Sequence, residues 1–220
     1  MYLVTPHSFL LVADDTSTPG AAEEGLFDVS AAQARLPSPA MAQFYIRISD
    51  LAPDADPGTS LSRASRPLDG VLLAGGNGRA RIEQLSGRLA VHEARAGLAQ
   101  GATKIIAVID TPAGALAAPQ LPGCSARLAG LVFDGAALAD RLGPAALAAA
   151  RGMSLLAAAV GGIEAIDGPQ RLSGAAFAAA CEAARAEGFA GKAALDAAQA
   201  EIVAAVFGGP SIDKPPLSGP

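Results

Sequence analysis

Two aspartates near the middle of the chain each follow a short apolar run. Asp110 comes directly after Ile105–Ile109, and Asp134 comes directly after Leu128–Phe133. Runs of five or six β-branched and apolar residues bounded by Gly, Pro or Asp are typical of strands buried on both faces. In open α/β sheets and in (βα)8 barrels, the chemistry lies at the carboxyl ends of the strands, because the βα loops converge there. The two carboxylates are therefore placed where the site of such a fold would be.

Eight strand candidates alternate with helical segments along the chain. They are Ser8–Ala13, Gly25–Val29, Gln43–Ile48, Leu68–Leu73, Ile105–Ile109, Leu128–Phe133, Ile163–Ile166 and Ala190–Leu195. This alternation predicts an α/β protein with a (βα)8 TIM barrel. Because typical barrels need roughly 250 residues, we expect the barrel to be trimmed in its N-terminal third. A doubly wound open sheet is the alternative, with the eighth strand the weakest of the set.

Helices are predicted where capping residues bracket alanine-rich segments. They are Arg79–Ser86, Val91–Gln100 with Gly101 as its C-cap, a helix from Ala145 to about Val160, one from Ser173 to Glu187 and one from Asp196 to Phe207. A chain of 220 residues is long enough for one well-buried core and short for two domains. We expect residues 1–207 to form a single barrel domain and residues 208–220 to form a C-terminal tail.

Composition narrows the classes of function. Apolar residues make up 51% of the chain and charged residues 17%, which is typical of a heavily buried α/β protein. The net charge of −5 and the scattered Lys and Arg give nucleic-acid binding no support.

No uninterrupted apolar run reaches the length of a membrane span, and the start lacks the features of a secretory signal, so we expect a cytoplasmic protein that does not bind a membrane. Cys124 and Cys181 are far apart and are expected to be reduced thiols.

A glycine-rich turn, Ala74–Gly78, follows the fourth strand candidate. Its sequence AGGNG matches neither the G-x-G-x-x-G pattern nor the P-loop, which needs a Lys-Ser/Thr pair after its last glycine. A tight βα turn explains the glycines as well as nucleotide binding does, and is the favoured interpretation.

The segments IAVIDTPAGAL and GLVFDGAALADRLG resemble two motifs of the HpcH/HpaI aldolase and citrate lyase beta-subunit family. Downstream, ARGMSLLAAAVGGIEAIDGP and GFAGKAALDAAQAEIVAAVFGGPS are similar to further segments of that family, and FYIRISDL and PLDGVLLAG match upstream strands. The resemblance covers most of the chain in the correct order. It implies a TIM barrel and a metal-dependent carbon–carbon lyase that cleaves a CoA thioester or a hydroxy-oxo acid through an enolate.

In the resembled family a divalent cation, usually magnesium, is held by a Glu after the fifth strand and an Asp after the sixth. Asp110 occupies the position of the Glu, whereas the family's Asp falls on Ala137. Asp134, three residues earlier, is the candidate replacement ligand. The alternative for Asp134 is that it caps the following helix.

The resemblance also supplies candidate substrate-binding residues. Arg47 keeps the type and position of an arginine that contacts substrate, and we expect it to pair with a substrate carboxylate. Backbone amides around Pro112, Ala113 and Gly114 are expected to add hydrogen-bond donors. The substrate implied is a small carboxylic acid or an acyl-CoA.

Several other family positions differ in this chain. His7 stands where the family has an arginine, and only Asp28 remains of its acidic D-L-E-D loop. Ala74-Gly75 replaces a proline–lysine pair, and residues 195–197 replace I-H-P. Two hypotheses follow: a metal-dependent lyase, or a non-catalytic relative that acts as a binding or interaction protein.

Assembly is the last expectation that the resemblance carries. Members of the family commonly form trimers or hexamers in which a C-terminal segment packs on the neighbouring subunit. The final predicted helix places Val203, Val206 and Phe207 near one face. We therefore expect a homo-oligomer, most simply a trimer.

Overall fold

The computed structural model describes residues 2–4, 9–11, 43–48, 69–75 and 78–208 of the chain. The predicted strand Gly25–Val29, His7, Asp28 and nearly all of the predicted C-terminal tail lie outside the described residues. Of Arg47 only the backbone is described.

Eight strands form one sheet. They are β1 (Tyr2–Val4), β2 (Phe9–Leu11), β3 (Gln43–Ile48), β4 (Gly70–Leu73), β5 (Lys104–Ile109), β6 (Leu128–Phe133), β7 (Glu164–Asp167) and β8 (Gly191–Ala194). Their order is β1-β3-β4-β5-β6-β7-β8-β2. Every pair is parallel except β1 with β3, which is antiparallel.

The sheet is curled. The strands at its two edges, β1 and β2, contact each other. Burial raises the pKa of Tyr45 in β3, and the charges of Asp69 and of Glu164 in β7 raise it further. In a flat sheet of eight strands the two edges would be about 34 Å apart, since neighbouring strands are spaced by about 4.8 Å, so the contact between β1 and β2 requires the curl.

These features confirm an α/β protein with a curled, mainly parallel sheet, which is consistent with a truncated TIM-barrel-like fold. A closed ring of eight parallel strands stays a prediction, because β1 runs antiparallel and the predicted second strand is not among the described residues. Strand candidate one, observed as β2, and candidates three to eight are confirmed, with ends that differ from the predicted ones by at most two residues.

Six helices accompany the described strands. They are α1 (Arg79–Ala96), α2 (Pro112–Ala117), α3 (Gly135–Ala139), α4 (Pro144–Gly161), α5 (Gly174–Glu187) and α6 (Ala197–Phe207), with a 3-10 turn at Ala118–Gln120. Each of the four longer helices has a glycine as its C-cap. After α1, α4 and α5 the backbone of this glycine adopts the left-handed conformation. Such a residue closes the last turn without the steric cost that a side chain would bring.

The prediction of two helices between residues 79 and 100 is wrong. A single helix, α1, runs through Gly87 and ends at Gly97 rather than at Gly101. Leu85 and Leu89, on either side of Gly87, are both fully buried against the core. Their burial outweighs the roughly 1 kcal/mol that a glycine costs inside a helix.

Alternating residues of the strands divide the core into two layers. The layer on one face of the sheet contains Tyr45, Leu72, Ala74, Ile106, Val108, Val132, Ile166 and Ala193. The other layer lies between the sheet and the helices and includes Ile105, Ala107 and Ile109 of β5 together with Leu85, Leu89 and Phe177 of α1 and α5. Since residues two apart share a face, Asp110 continues the phase of Val108, and Asp134 continues that of Val132. Both aspartates are therefore in phase with the layer inside the curl.

The surfaces of α4 and α6 are relevant to binding of a membrane and of a second copy of the chain. α4 is long and apolar enough to cross a membrane by length and composition alone, but its buried residues belong to the layer between sheet and helices. In α6, Val203 and Phe207 are buried and Val206 packs against the same core. The apolar face of α6 thus packs within its own chain, so the predicted oligomer must use another surface.

Candidate functional site

The carboxyl ends of the central strands are joined by backbone hydrogen bonds that continue past the strands themselves. Three N–H groups donate to the last carbonyl oxygens of neighbouring strands: Ala74 to Ile48 (3.0 Å), Asp134 to Ile109 (3.0 Å) and Gly168 to Phe133 (2.8 Å). The loops after β4, β6 and β7 therefore begin side by side. We call this row of loop starts the carboxyl edge.

Asp110 and Asp134 are neighbours on the carboxyl edge. Ile109 is opposite Phe133 in the register of β5 and β6, so the residues that follow are adjacent as well. Both aspartates are partly exposed to solvent. The structure thus places side by side the two strand ends that carry these aspartates.

The carboxylate of Asp110 is already engaged by the backbone. Both of its oxygens accept from the N–H of Gly75, each at 3.1 Å. Gly75 has φ of 86°, in the left-handed region that favours glycine. Asp110 therefore holds the backbone at the start of the glycine-rich turn. The left-handed backbone conformation there explains why position 75 is a glycine.

Asp134 is the N-cap of α3. Its Oδ1 accepts from the N–H of Ala137 at 3.0 Å. The capping interpretation is thus confirmed, and the capped residue is the position at which the resembled family carries its metal-binding Asp. The role of Asp134 as a metal ligand stays a prediction.

The other predicted site residues are placed less completely. Arg47 lies in β3 opposite Leu72 of β4, one residue before the strand ends, so its backbone is close to the carboxyl edge. Gly114 N–H donates to Oγ1 of Thr111, which caps α2 at 3.0 Å. Pro112 has no N–H to donate. Of the three predicted amide donors, only Ala113 therefore lies outside the cap.

No protein-family model and no curated protein matches the chain in sequence. Solved structures do match. RipC from Yersinia pestis is 27% identical with a TM-score of 0.61, covering 74% of this chain and 75% of that one. A citrate lyase from Burkholderia xenovorans is 16% identical with a TM-score of 0.65, covering 80% of this chain and 61% of that one. These structures support the resemblance of the chain to the HpcH/HpaI aldolase and citrate lyase beta-subunit family.

A third match is Haloferax volcanii malate synthase in a magnesium/glyoxylate complex. It is 18% identical with a TM-score of 0.63, and the match covers 92% of this chain and 64% of that one. The chain spans less than two thirds of the length of this malate synthase and of the Burkholderia citrate lyase. At such identities these two structures show only that the chain shares their fold.

Several family motif residues form a buried ion-pair network that sequence reasoning missed. Asp167 of β7 accepts from Nζ of Lys192 and from a guanidinium nitrogen of Arg151. Arg151 Nε also donates to Glu187 at 2.5 Å, and its guanidinium lies 4.3 Å from the ring centre of Phe189. The motifs containing Arg151, Asp167 and Lys192 were recognised, but nothing local shows that residues 25 apart in sequence pair.

This network is structural rather than part of the carboxyl-edge site. Lys192 is fully buried and Asp167 is only 4% exposed. By strand alternation both lie on the helix side of the sheet, opposite the layer to which Asp110 belongs. Charges this deep persist only when they are paired, so the network ties β7, β8 and α4 together in the family fold.

A second buried pair lies near the opposite, amino ends of the strands. Both carboxylate oxygens of Glu93 accept from Arg127, at 2.5 and 2.6 Å, and they also accept from the N–H groups of Gly101 and Thr103 at 2.8 Å. The hydrogen bonds from Arg127 lower the pKa of Glu93 to about 2, against the opposing effect of burial. This pair anchors the end of α1 to the starts of β5 and β6.

Within the described ranges, no group of three or more His, Cys, Asp or Glu side chains converges as a metal centre would require. Among the described residues, a cation at the carboxyl edge would therefore draw on no more than two such side chains, and Asp110 and Asp134 are the candidates.

Proposed function

We propose that this citrate lyase beta-subunit relative binds a small carboxylic acid or an acyl-CoA ester at the carboxyl edge and acts there as a metal-dependent carbon–carbon lyase with a reduced ligand set. The observation that supports the proposal is the adjacency of Asp110 and Asp134 at the ends of β5 and β6. The Haloferax malate synthase, which shares the fold, forms a magnesium/glyoxylate complex.

The two carboxylates suit a magnesium ion. Magnesium is usually held by one or two carboxylates, with water and substrate oxygens completing an octahedral shell. A carboxylate offers about four lone-pair positions, so a hydrogen bond from a backbone N–H, such as that of Gly75 to Asp110, does not by itself prevent the carboxylate from binding a cation. When bound, the ion would stabilise negative charge on a substrate oxygen as the carbon–carbon bond breaks.

The chain's own residues then orient the substrate. Arg47 would pair with a substrate carboxylate, because a guanidinium matches a carboxylate with two parallel hydrogen bonds. The N–H of Ala113, at the start of α2, is a further donor. Asp110 and Asp134 hold their positions through Gly75 and Ala137, so the carboxylates are oriented before any ligand arrives.

A non-catalytic binding protein is the second candidate. The observation that favours it is Ala137, which supplies a capped N–H where the family has a carboxylate. Such a protein would bind a small acid or a partner at the same edge without turnover.

Metal titration tests the proposal. We expect Mn²⁺ and Mg²⁺ to bind at millimolar concentration or below and to raise the melting temperature, since a ligand that binds only the folded state stabilises it. Asp110→Asn and Asp134→Asn should each weaken Mn²⁺ binding by about tenfold or more. Asn retains the ability to cap α3, so the second variant separates charge from capping.

Asp140→Asn is the matched control, because Asp140 is exposed and ends α3 rather than beginning it. It should leave Mn²⁺ affinity unchanged. Absence of binding at millimolar metal, with no thermal stabilisation, contradicts the lyase proposal. Metal and acid binding without cleavage of malyl-CoA or citramalyl-CoA would instead favour the binding protein.

A further inference from the structure

Arg81, in the first turn of α1, holds two buried guanidinium nitrogens that have no partner. Its Nε and Nη2 are both buried, and across the described part of the chain neither donates a hydrogen bond. The residue as a whole is half-buried, so its side chain borders solvent. An unsatisfied buried donor costs about 1–3 kcal/mol, and more when it is charged. Native proteins therefore rarely leave such groups unpaired.

The identity of the two nitrogens is informative. Nε–H and Nη2–H point in the same direction and form the side-on fork of the guanidinium. This fork matches the two oxygens of a carboxylate or a phosphate. Both arms of one fork are thus unpaired together, and their geometry suits the two oxygens of a single oxyanion.

The acidic residues of α1 do not fill this fork. Glu83 accepts from Nε of Arg79 at 2.7 Å, and Glu93 is held by Arg127. The residues three and four positions from Arg81 on its C-terminal side are Gln84 and Leu85. The helix therefore offers no free carboxylate to this arginine.

The surroundings of the fork add to its preference for an anion. The N-cap of α1, Gly78, contributes no side-chain hydrogen bond, and the first turn contains no acidic residue. The exposed N–H groups and dipole of an 18-residue helix favour negative charge at this end. α1 begins near the carboxyl edge, since its N-cap Gly78 comes three residues after the Gly75 that donates to Asp110.

We propose that the Nε/Nη2 fork of Arg81 binds one oxyanion, a carboxylate or a phosphate group, of a ligand held at the carboxyl edge. The inference deepens the proposed function by giving its site a second anion-binding group. It requires no divalent cation, so it stands or falls separately from the metal. A small dicarboxylic acid and the phosphates of an acyl-CoA are the two sources of such an oxyanion.

The test uses the full chain with chelator present, titrated separately with sodium succinate and with inorganic phosphate while the Arg81 Nε–H resonance is followed by NMR. We expect that resonance to shift with at least one anion, and Arg81→Gln to weaken binding by about tenfold or more. Succinate alone identifies a carboxylate ligand, and phosphate alone identifies a phosphate ligand. Arg81→Lys should also lose most of the affinity, because lysine keeps the charge but not the fork.

Arg79→Gln is the matched control, since Arg79 is in the same turn and carries the same charge but pairs with exposed Glu83. It should change the affinity by less than about twofold. Equal weakening by the two glutamine variants, or no binding of either anion by about 10 mM, overturns the proposal.

Stability gives an independent readout. Without anion, Arg81→Met should leave the melting temperature unchanged or raise it, because it removes an uncompensated buried charge. A lower melting temperature would show that Arg81 already stabilises the folded chain without an anion, which also overturns the proposal. Failure of the parent chain to bind Mn²⁺, with succinate or phosphate binding intact, would contradict only the metal site.

Discussion

Asp134 shows how one side chain at a strand end can suit two roles. An aspartate before a helical run is a good N-cap, and the same position lies where a metal ligand would be in the resembled family. The structure supplies the cap directly, through Ala137 N–H. Sequence alone could place Asp110 and Asp134 at one edge, because each follows an apolar run. It could not show that Gly75 and Ala137 already bind them.

Restoring the family's carboxylates tests whether Ala137 marks the position of the lost metal ligand. The double variant Asp110→Glu with Ala137→Asp returns the family's side chains at both matching positions. We expect it to bind Mn²⁺ about tenfold more tightly than the parent, or about 1.4 kcal/mol, as measured by calorimetric titration. Catalysis need not return, since His7 and the loop after Asp28 remain changed. Equal or weaker binding by a folded double variant would mean that Ala137 does not mark the lost ligand.

The Glu93–Arg127 pair predicts a specific loss of stability. Glu93→Gln leaves a buried guanidinium without its counter-charge and should cost about 3–5 kcal/mol in the free energy of unfolding. Glu83→Gln breaks an exposed pair of similar length and should cost only about 0.3–0.5 kcal/mol. Urea unfolding of the two variants and the parent measures the difference. Equal effects would show that the buried pair contributes no more than a surface one.

The same pair predicts a pH dependence. The pKa of Glu93 is about 2 in the folded protein and about 4.3 in the unfolded chain. The contribution of the Glu93 carboxylate to the free energy of unfolding is therefore complete above about pH 4.3 and is lost as the pH falls toward 2. The stability advantage of the parent over Glu93→Gln should therefore shrink between pH 6 and pH 3. An advantage that stays constant or grows in acid would contradict the assignment.

Among the elements, those with a strong local signal were predictable and those set by long-range packing were not. β5 and β6 were placed within one residue, because an unbroken apolar run bounded by turn residues has few alternatives. α1 was divided in the prediction because Gly87 is a local signal for a break, whereas the packing of Leu85 and Leu89 is not visible locally. The Asp167–Lys192 and Glu93–Arg127 pairs join residues 25 and 34 positions apart. No periodicity reveals such pairs.

The close approach of Gly168 to the end of β6 predicts a loss of stability when a side chain is added. A Cβ at this position would lie 2.4 Å from the carbonyl oxygen of Phe133 and 2.8 Å from Cα of Asp134, both backbone atoms that cannot rotate away. Gly168→Ala should therefore separate β6 from the start of the loop after β7 and cost about 1–3 kcal/mol. Urea unfolding measures this loss.

Gly152→Ala is the matched control for that variant. Gly152 lies inside α4, and a Cβ added there would have open space within 4 Å, so alanine should stabilise the helix by up to about 1 kcal/mol. If the two alanine variants shifted the urea midpoint in the same direction, the close approach at Gly168 would not determine stability.

At the scale of the whole molecule, the motifs and strand alternation predicted a barrel-like α/β fold, and the curled parallel sheet agrees. The antiparallel β1 was not anticipated, because three residues at the start of the chain carry too little pattern to identify a strand. The apolar pattern of α6 predicts a face for contact between subunits, but Val203 and Phe207 are buried in the core of their own chain.

We still expect a homo-oligomer, most simply a trimer, on the strength of the family. Exposed apolar side chains remain for such contacts on α2 and α4, where Leu116, Leu156 and Val160 are each more than two-thirds exposed. Sedimentation velocity or light scattering at micromolar concentration checks this expectation. A monomer across that range would show that these surfaces do not associate.

Anomalous diffraction from crystals of the protein grown with Mn²⁺ and succinate tests the carboxyl-edge site most directly. We expect one manganese peak on the carboxyl edge, with carboxylate oxygens of Asp110 and Asp134 both within about 2.1–2.3 Å of it. A peak elsewhere, or none at saturating Mn²⁺ while Asp110 still accepts from Gly75, would contradict a metal site built on these two aspartates.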